Sequence, residues 1–298
     1  MDKNKNNKLI GILLFSFAVS IASVQAGIAK HLTATVPVTE IVWFRYTGVF
    51  IITGLLALFR FKLSKLKPIQ IKRQILRGSL MVIATFTFTT ATTVMPLANA
   101  TAVIFAYPFL IVLAAPIMLD EKVDRNNWIA VTVGFLGVLL VIRPGLEGFT
   151  WHSILALTAG LCWGIHLLVT RQLTANIDPI LLALSTAFIG MVVAGVLMPF
   201  VWEPLKLNDF FLLIGLAFVS SLAQITAIAA CAQCETSILA PFGYFELISG
   251  ITVGFFLFGD LPDTVTWLGM SAILICGIYI AILGGRKRVI VGRARPTA

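Results

Sequence analysis

Long apolar stretches, separated by short charged or Pro/Gly-containing connections, dominate this chain. A helix that crosses a bilayer needs about 20 predominantly apolar residues, and the stretches have roughly this length. They lack the sustained alternation of apolar and polar positions that is typical of strands in a membrane barrel. The pattern predicts ten transmembrane helices, at residues 9–29, 38–60, 74–95, 98–118, 127–143, 151–171, 178–199, 209–231, 236–258 and 263–285.

The composition agrees with a membrane protein. The chain has 298 residues, of which 59% are hydrophobic and 12% charged, and its mean hydropathy is +0.99. Soluble domains are about 45–50% apolar and about 25% charged, so a buried core does not explain the excess. Ten spans also leave no room for a second, soluble domain.

Basic residues are concentrated before the first apolar stretch, between the second and third, and after the last. If both termini lie inside, 18 of the 22 Lys and Arg residues fall in inner segments, whereas Lys30, Arg143 and Lys206 fall in outer ones. A cytoplasmic excess of Lys and Arg sets the orientation of membrane proteins. The distribution therefore predicts cytoplasmic termini, and it explains the net charge of +9 without a nucleic-acid partner.

The N-terminal segment also resembles a signal peptide, with basic residues, an apolar stretch and "VQA" at 24–26 as a cleavage site. We expect a retained helix, because its counterpart in the second half, 151–171, is internal. Cys231 and Cys234 have CxxC spacing without further ligands nearby. We therefore interpret the cysteines as packing residues and expect no metal or other cofactor.

The two halves of the sequence resemble each other. "AKHLTATVP" at 29–37 aligns with "TRQLTANID" at 170–178, and Tyr107 aligns with Tyr244. Each half holds five predicted helices, so the second copy enters the membrane from the opposite side. Inverted repeats are typical of secondary transporters, whose substrate site lies near the midplane at the repeat interface. The predicted fold is an all-α membrane protein with ten transmembrane helices in two inverted five-helix repeats around a central cavity. The repeats are 1–145 and 146–298, the second with a basic cytoplasmic tail.

Further features point to a known family. An arginine lies in the second helix, and acidic residues follow "VLAAPIML" in the first half and "GFFLFG" in the second. With ten spans in two repeats, this ensemble resembles the EamA family of the drug/metabolite transporter superfamily, over about residues 9–285. The resemblance implies a ten-helix bundle that moves small organic solutes across the bacterial inner membrane. Members carry different solutes, so the substrate does not follow from the family.

Two ionisable residues lie within predicted spans, where charge is costly and usually functional. Arg45, in the second helix, is interpreted as a gating or structural residue, the role that the family resemblance favours; contact with a substrate carboxylate is the alternative. Glu246 lies midway along the predicted ninth helix and has the apolar Phe109 as its repeat counterpart. A buried carboxylate can exchange a proton or meet a cation, and we predict one of these roles. A carboxylate tied to a neighbouring helix is the alternative.

Polar and aromatic residues on other helices complete the predicted site. His166 follows Trp163 on one helical face, and it combines a titratable ring with a flat stacking surface; a core histidine with one hydrogen bond is the alternative. The threonine-rich third helix and its counterpart, the eighth, predict a shared cavity wall, with helix packing as the alternative. The predicted substrate-binding residues are Tyr107, Trp163, His166, Gln224, Tyr244 and Glu246; catalytic and metal-binding residues are not predicted.

The sequence contains no HExxH, GxSxG or P-loop motif, which argues against an enzyme. We predict a secondary transporter for amino-acid-like zwitterions or organic cations, working by alternating access. Within the class, the alternatives are S-adenosylmethionine uptake and broad-specificity drug efflux; outside it, a non-transporting receptor or an intramembrane enzyme. The expected partners are a small-molecule substrate, the lipid bilayer and a proton as candidate coupling ion, and the expected state is a monomer or homodimer.

Overall fold

The computed structural model describes residues 3–61, 70–107, 109–110, 125–143, 150–173, 177–233 and 239–292. All regular structure within these ranges is helical. Two short 3-10 helices, Met198–Phe200 and Ala240–Tyr244, accompany the α-helices. The ten α-helices of the described ranges are α1 (Lys3–Leu32), α2 (Val38–Arg60), α3 (Ile71–Thr92), α4 (Leu97–Ile104), α5 (Arg125–Ile142), α6 (Trp151–Leu173), α7 (Pro179–Leu197), α8 (Leu207–Gln233), α9 (Phe245–Phe258) and α10 (Thr264–Gly292).

Six helices, α1, α2, α3, α6, α7 and α8, contain segments long and apolar enough to cross a membrane. Shorter apolar helices lie at Trp128–Ile142, Phe242–Phe258 and Thr264–Tyr279. Large apolar side chains cover the exterior, and Phe59 and Phe200 are more than 80% exposed. Such a surface suits a lipid environment. The prediction of an all-helical, multi-pass membrane protein is therefore confirmed.

The bundle is assembled from a few extensive helix pairs. Helix α1 packs on α8 and α9, and α6 packs on α3 and α4; α2 packs on α7 and α8, and α5 on α10. Small residues allow the backbones to approach, as is usual in membrane bundles. A Cβ atom added at Gly137 of α5 would lie 2.8 Å from the carbonyl oxygen of Gly269 in α10.

Two helices are shorter than the sequence predicts, and both are interrupted near the aligned tyrosines. The first, α4, ends at Ile104 and is followed by a turn at Phe105 and Ala106, inside the predicted span 98–118. The second, α9, begins only at Phe245, because a 3-10 helix occupies the preceding residues of the predicted span 236–258. Proline has no N–H to continue an α-helix, and the sequence carries one at 108 and one at 241. The prediction of uninterrupted helices at these two places is wrong, while residues 111–118 lie outside the described ranges.

Candidate functional site

The two interruptions lie side by side. The Phe105 ring is 5.2 Å from the Tyr244 ring and 5.7 Å from the Tyr107 ring, centroid to centroid. Next to this contact α4 packs on α9, and the missing side chain of Gly250 in α9 leaves room for Thr101 of α4. Irregular backbone at membrane depth is tolerated where it is buried in protein or lines a cavity. The paired breaks are therefore the natural place to look for a binding site.

Helix α6 comes close to the α4 break through two glycines one turn apart. A Cβ atom at Gly160 would lie 2.8 Å from the carbonyl oxygen of Ile104, and one at Gly164 would lie 3.4 Å from Tyr107. This approach brings Trp163 and His166 of α6 to the same region. Their rings are stacked, with centroids 5.4 Å apart and planes only 8° from parallel.

Glu246 lies in the first turn of α9 and not in the middle of a helix as predicted, because the 3-10 helix shortens α9 at its start. Glu246 as a residue is half-buried in the bundle, and its carboxylate interacts electrostatically with Tyr107. Two hydrogen bonds between α1 and α9 hold this part of α9 in place. Ser23 Oγ donates to the Glu246 carbonyl oxygen at 3.1 Å, and Ser249 Oγ donates to Ser20 Oγ at 3.0 Å.

The six predicted substrate-binding residues fall into different environments. Tyr107, Trp163 and Glu246 keep accessible surface around the breaks. His166 is buried, and its Nδ1 lies 2.8 Å from the Arg77 carbonyl oxygen. This environment matches the alternative interpretation of His166, a core histidine with one hydrogen bond. Tyr244 is only 5% exposed.

The remaining two residues are not joined to the others by polar contacts. The hydroxyl of Tyr244 points at Gly277 of α10 and has no hydrogen-bond partner among the described residues. Gln224 is half-buried on α8. The described contacts do not link it to the other five residues. The structure thus brings Tyr107 and Glu246 together at the breaks, stacks Trp163 on His166 in the neighbouring α6, and leaves Tyr244 in the core beside Phe105.

Arg45 lies where α1, α2 and α8 meet. With its amide oxygen turned towards Arg45, Gln25 of α1 accepts from both Nη1 and Nη2 at 3.2 Å, and its amide nitrogen donates to Ser220 Oγ of α8 at 3.2 Å. This orientation of the amide is assigned from the hydrogen bonds that it makes. Arg45 retains accessible surface, whereas Gln25 and Ser220 are buried. The sequence alone gave no role to Gln25.

A second buried arginine, Arg77 of α3, was not recognised in the sequence because it belongs to a cluster of basic residues near a connection. It is 3% exposed and donates to the Leu182 carbonyl oxygen and to Thr170, Ser185 and Thr186 hydroxyls. The periodicity of the helix could have distinguished Arg77 from the other basic residues in the sequence. Arg77 shares a face of α3 with the buried threonines 85, 89 and 92.

Two ion pairs lie at the end of the bundle where α1 ends and α2 begins. Lys30 Nζ lies 3.1 Å from the Asp260 carboxylate and also donates to the Met95 carbonyl oxygen at 3.1 Å. Arg143 forms hydrogen bonds with both carboxylate oxygens of Asp263 and holds the pKa of that carboxyl below its ordinary value. These contacts tie α1 and α5 to the α9–α10 connection.

Surface concavities lie elsewhere. One of about 350 Å³ is formed by α5 and α10, between residues such as Val133 and Ile275. Another of about 220 Å³ lies beside Arg143 and Asp263. Neither is lined by any of the six predicted substrate-binding residues. The candidate site at the breaks therefore rests on contacts and on accessible surface.

The fold and the buried polar groups define a multi-pass helical membrane protein with polar and ionisable groups inside the bundle. The sequence profile of the EamA-like transporter family matches this chain twice, over residues 9–143 and 150–283. The chain belongs to that family, and the family resemblance seen in the sequence is confirmed.

Individual proteins with similar sequences carry different names. A riboflavin transporter of Rhizobium johnstonii is 31% identical over 62% of this chain and 62% of its own length. An S-adenosylmethionine uptake transporter of Rickettsia conorii is 23% identical over 91% of this chain and 92% of its own. The pseudopaline exporter CntI of Pseudomonas aeruginosa is 24% identical over 91% and 95%. A solved crystal structure matches 95% of this chain and 98% of its own with a TM-score of 0.65, and at 17% identity it shows the fold alone.

Proposed function

We propose that this protein is a secondary transporter that carries amino-acid-like zwitterions or organic cations across the bacterial inner membrane by alternating access. The observation that carries the proposal is the pair of helix interruptions at Tyr107 and Tyr244 with Glu246 beside them. Discontinuous helices form the substrate sites of many secondary transporters, near the midplane between inverted repeats.

The helix pairing supports two inverted repeats, 1–145 and 146–298. If each helix is exchanged for its counterpart five helices away, the pairs α1/α8 and α1/α9 become α6/α3 and α6/α4. All four pairs are present in the bundle, and α2/α7, α4/α9 and α5/α10, which the exchange leaves unchanged, are present as well. A pseudo-twofold axis in the membrane plane produces this pattern. The two separate family matches support the same division.

The proposed site has distinct roles for its members. Glu246 binds a proton or the cationic group of the solute, because it has no ion-pair partner among the described residues and an unpaired intramembrane carboxylate is costly. Tyr107 and Trp163 present aromatic faces that attract a cation. His166 holds the Trp163 ring by stacking, Tyr244 supports the break from the core, and Gln224 contacts the solute from α8.

S-adenosylmethionine uptake is the second candidate. Relatives with that name match more than nine tenths of this chain, and a sulfonium cation suits a carboxylate flanked by aromatic rings. Other relatives are named for riboflavin transport and pseudopaline export, which favours the broader solute class and leaves export, including drug efflux, as an alternative direction. The names of the relatives favour transport over a receptor or an intramembrane enzyme.

The orientation and coupling follow from the charge distribution and from Glu246. Both termini and the 60–77 connection are cytoplasmic, because Lys and Arg are concentrated there. The α1–α2 end of the bundle, with its two ion pairs, then faces outwards. A proton is the proposed coupling ion, and the working unit is a monomer or a homodimer.

Solute uptake into proteoliposomes tests the proposal. The purified chain is reconstituted and offered labelled amino acids, amines, S-adenosylmethionine and riboflavin, each with and without a pH gradient. We expect saturable uptake of at least one solute with a cationic group, faster with the gradient than without it. Uptake equal to that of protein-free liposomes for the whole panel would contradict the proposal.

A further inference from the structure

The environments of Arg45 and Arg77, the two arginines inside the bundle, differ, and the difference distinguishes a structural role from a binding role. Arg77 is closed off and has acceptors on two helices, α6 and α7, including a backbone carbonyl. This is the structural role that the sequence suggested for Arg45. Among the residues that the structure describes, Arg45 has one acceptor, the Gln25 amide oxygen, and it keeps accessible surface.

Arg45 therefore has spare hydrogen-bonding capacity. A guanidinium carries five N–H donors, and a single amide oxygen occupies only a part of them. Among the described residues, no carboxylate lies within ion-pair distance of Arg45. An intramembrane charge without an opposite charge is expensive, so such a group is expected to face a ligand or a water-filled space.

The neighbours of Arg45 hold it in place without neutralising it. The Gln25 amide is itself fixed by Ser220, so α1 and α8 orient the guanidinium from two sides. An oriented guanidinium fork matches a carboxylate or phosphate in a bidentate manner. A neutral amide orients the arginine yet leaves its charge available, which a glutamate at the same position would not.

Helix α1 also relates Arg45 to the proposed site. Ser23 contacts the backbone of Glu246, and Gln25 contacts the guanidinium of Arg45. Two residues along a helix correspond to about 3 Å of axial rise and about 200° of rotation, so the two groups contact α1 at nearly the same depth, from opposite faces. One acidic and one basic group are thus available at one level of the bundle.

We propose that Arg45, oriented by Gln25 and Ser220, binds the anionic group of the transported solute. The inference rests on the proposed transport function and narrows it to solutes that carry a carboxylate or phosphate in addition to any cationic group. Arg77, with its acceptors supplied by the protein, is a structural counterpart that takes no part in binding.

Matched ligands test this inference on the wild-type protein. S-adenosylmethionine and its decarboxylated form differ only in one carboxylate, and so do methionine and the corresponding amine. Affinities are measured for the purified full-length protein by ligand-induced thermal stabilisation. We expect the acid of a bound pair to bind about tenfold to 150-fold more tightly, the factor that a hydrogen bond to a charged group usually contributes.

A near-isosteric substitution then tests Arg45 without removing it. Gln25→Glu places a carboxylate on the guanidinium, so it should keep or raise thermal stability and abolish the preference for the acid. Gln70→Glu is the matched control, because it adds the same charge at an exposed position before α3. Arg45→Lys, which keeps the charge but loses the planar fork, should retain a reduced preference.

The outcomes separate this inference from the proposed function. An acid preference that survives Gln25→Glu, or a wild-type protein that binds both members of each pair equally, overturns the role of Arg45 while transport stands. If the wild-type protein neither binds nor transports any probe of the panel, the proposed function fails and this inference fails with it.

Discussion

A single methyl group tests how closely α6 approaches the interrupted α4. At Gly160, a Cβ atom would lie 2.8 Å from the carbonyl oxygen of Ile104, and a backbone carbonyl cannot swing away as a long side chain can. At Gly164, one turn further along the same helix, a Cβ atom would lie 3.4 Å or more from Tyr107, which is ordinary van der Waals contact. Gly160→Ala and Gly164→Ala therefore form a matched pair that differs mainly in the clash.

The expected energies follow from two opposing effects. Alanine is favoured over glycine in a helix by about 0.8–1 kcal/mol, and both variants receive this benefit. Overpacking costs about 1–3 kcal/mol in a well-packed interior, and only Gly160→Ala incurs it. Gly164→Ala should therefore be more stable than the wild-type protein, and Gly160→Ala should be less stable than Gly164→Ala by about 1–3 kcal/mol.

Thermal unfolding of the purified proteins in one detergent is the assay, with the wild-type protein as reference. A chain of 150–250 residues loses about 2–4 °C per kcal/mol. The two variants should thus melt about 2–12 °C apart, with Gly160→Ala at the lower temperature. Equal melting temperatures, or the opposite order, would refute the close approach and the position of Trp163 beside the break.

Three further predictions concern orientation, the first helix and pH. Reporter fusions ending at Gln70 and at Trp202 should report opposite compartments, because these residues lie at opposite ends of the bundle; matching compartments would contradict the proposed topology. Intact mass should show that the purified protein keeps the residues before Gly27, since α1 contacts α9 through Ser20 and Ser23; a chain that begins at Gly27 would contradict this. Because Arg143 lowers the pKa of Asp263 in the folded state, the pair stabilises the fold above the unfolded pKa of about 3.9, and this contribution is lost as the pH falls through the folded value. Asp263→Asn should cost less than about 1 kcal/mol at pH 7 in chemical unfolding, as is usual for exposed pairs, and the difference should shrink at acidic pH; a difference that grows on acidification would contradict the pairing.

Hydropathy predicted most helices of the described ranges because bilayer thickness fixes their length and composition. Ser16, Ser20, Ser23 and Gly27 form a small-residue stripe along one face of α1, and Ser20, Ser23 and Gly27 contact α9. Hydropathy did not reveal where the helices are interrupted. An apolar stretch keeps the same hydropathy whether its backbone is α-helical or 3-10, so Glu246 was placed in the middle of a helix.

The sequence also did not reveal in which direction individual side chains point. The repeat alignment pairs Tyr107 with Tyr244, and both lie next to a helix interruption, yet one side chain keeps accessible surface and the other is buried against α10. Arg77 was grouped with nearby basic residues because charge counting ignores helical phase. Gln25 lies off the small-residue stripe of α1, and only the packing of α1 against α2 and α8 gives it a partner in Arg45.

The central claim is that the site at the interrupted helices, with Glu246, drives transport, and Glu246→Gln tests it most directly. The amide keeps the shape but removes the charge and the exchangeable proton. The measurement is gradient-driven solute accumulation in proteoliposomes, normalised to reconstituted protein of equal thermal stability. The account predicts at least about a tenfold loss of accumulation, with solute exchange preserved if Glu246 carries the proton and weakened if it binds the solute. Accumulation at the wild-type rate and with the wild-type pH dependence would contradict the account.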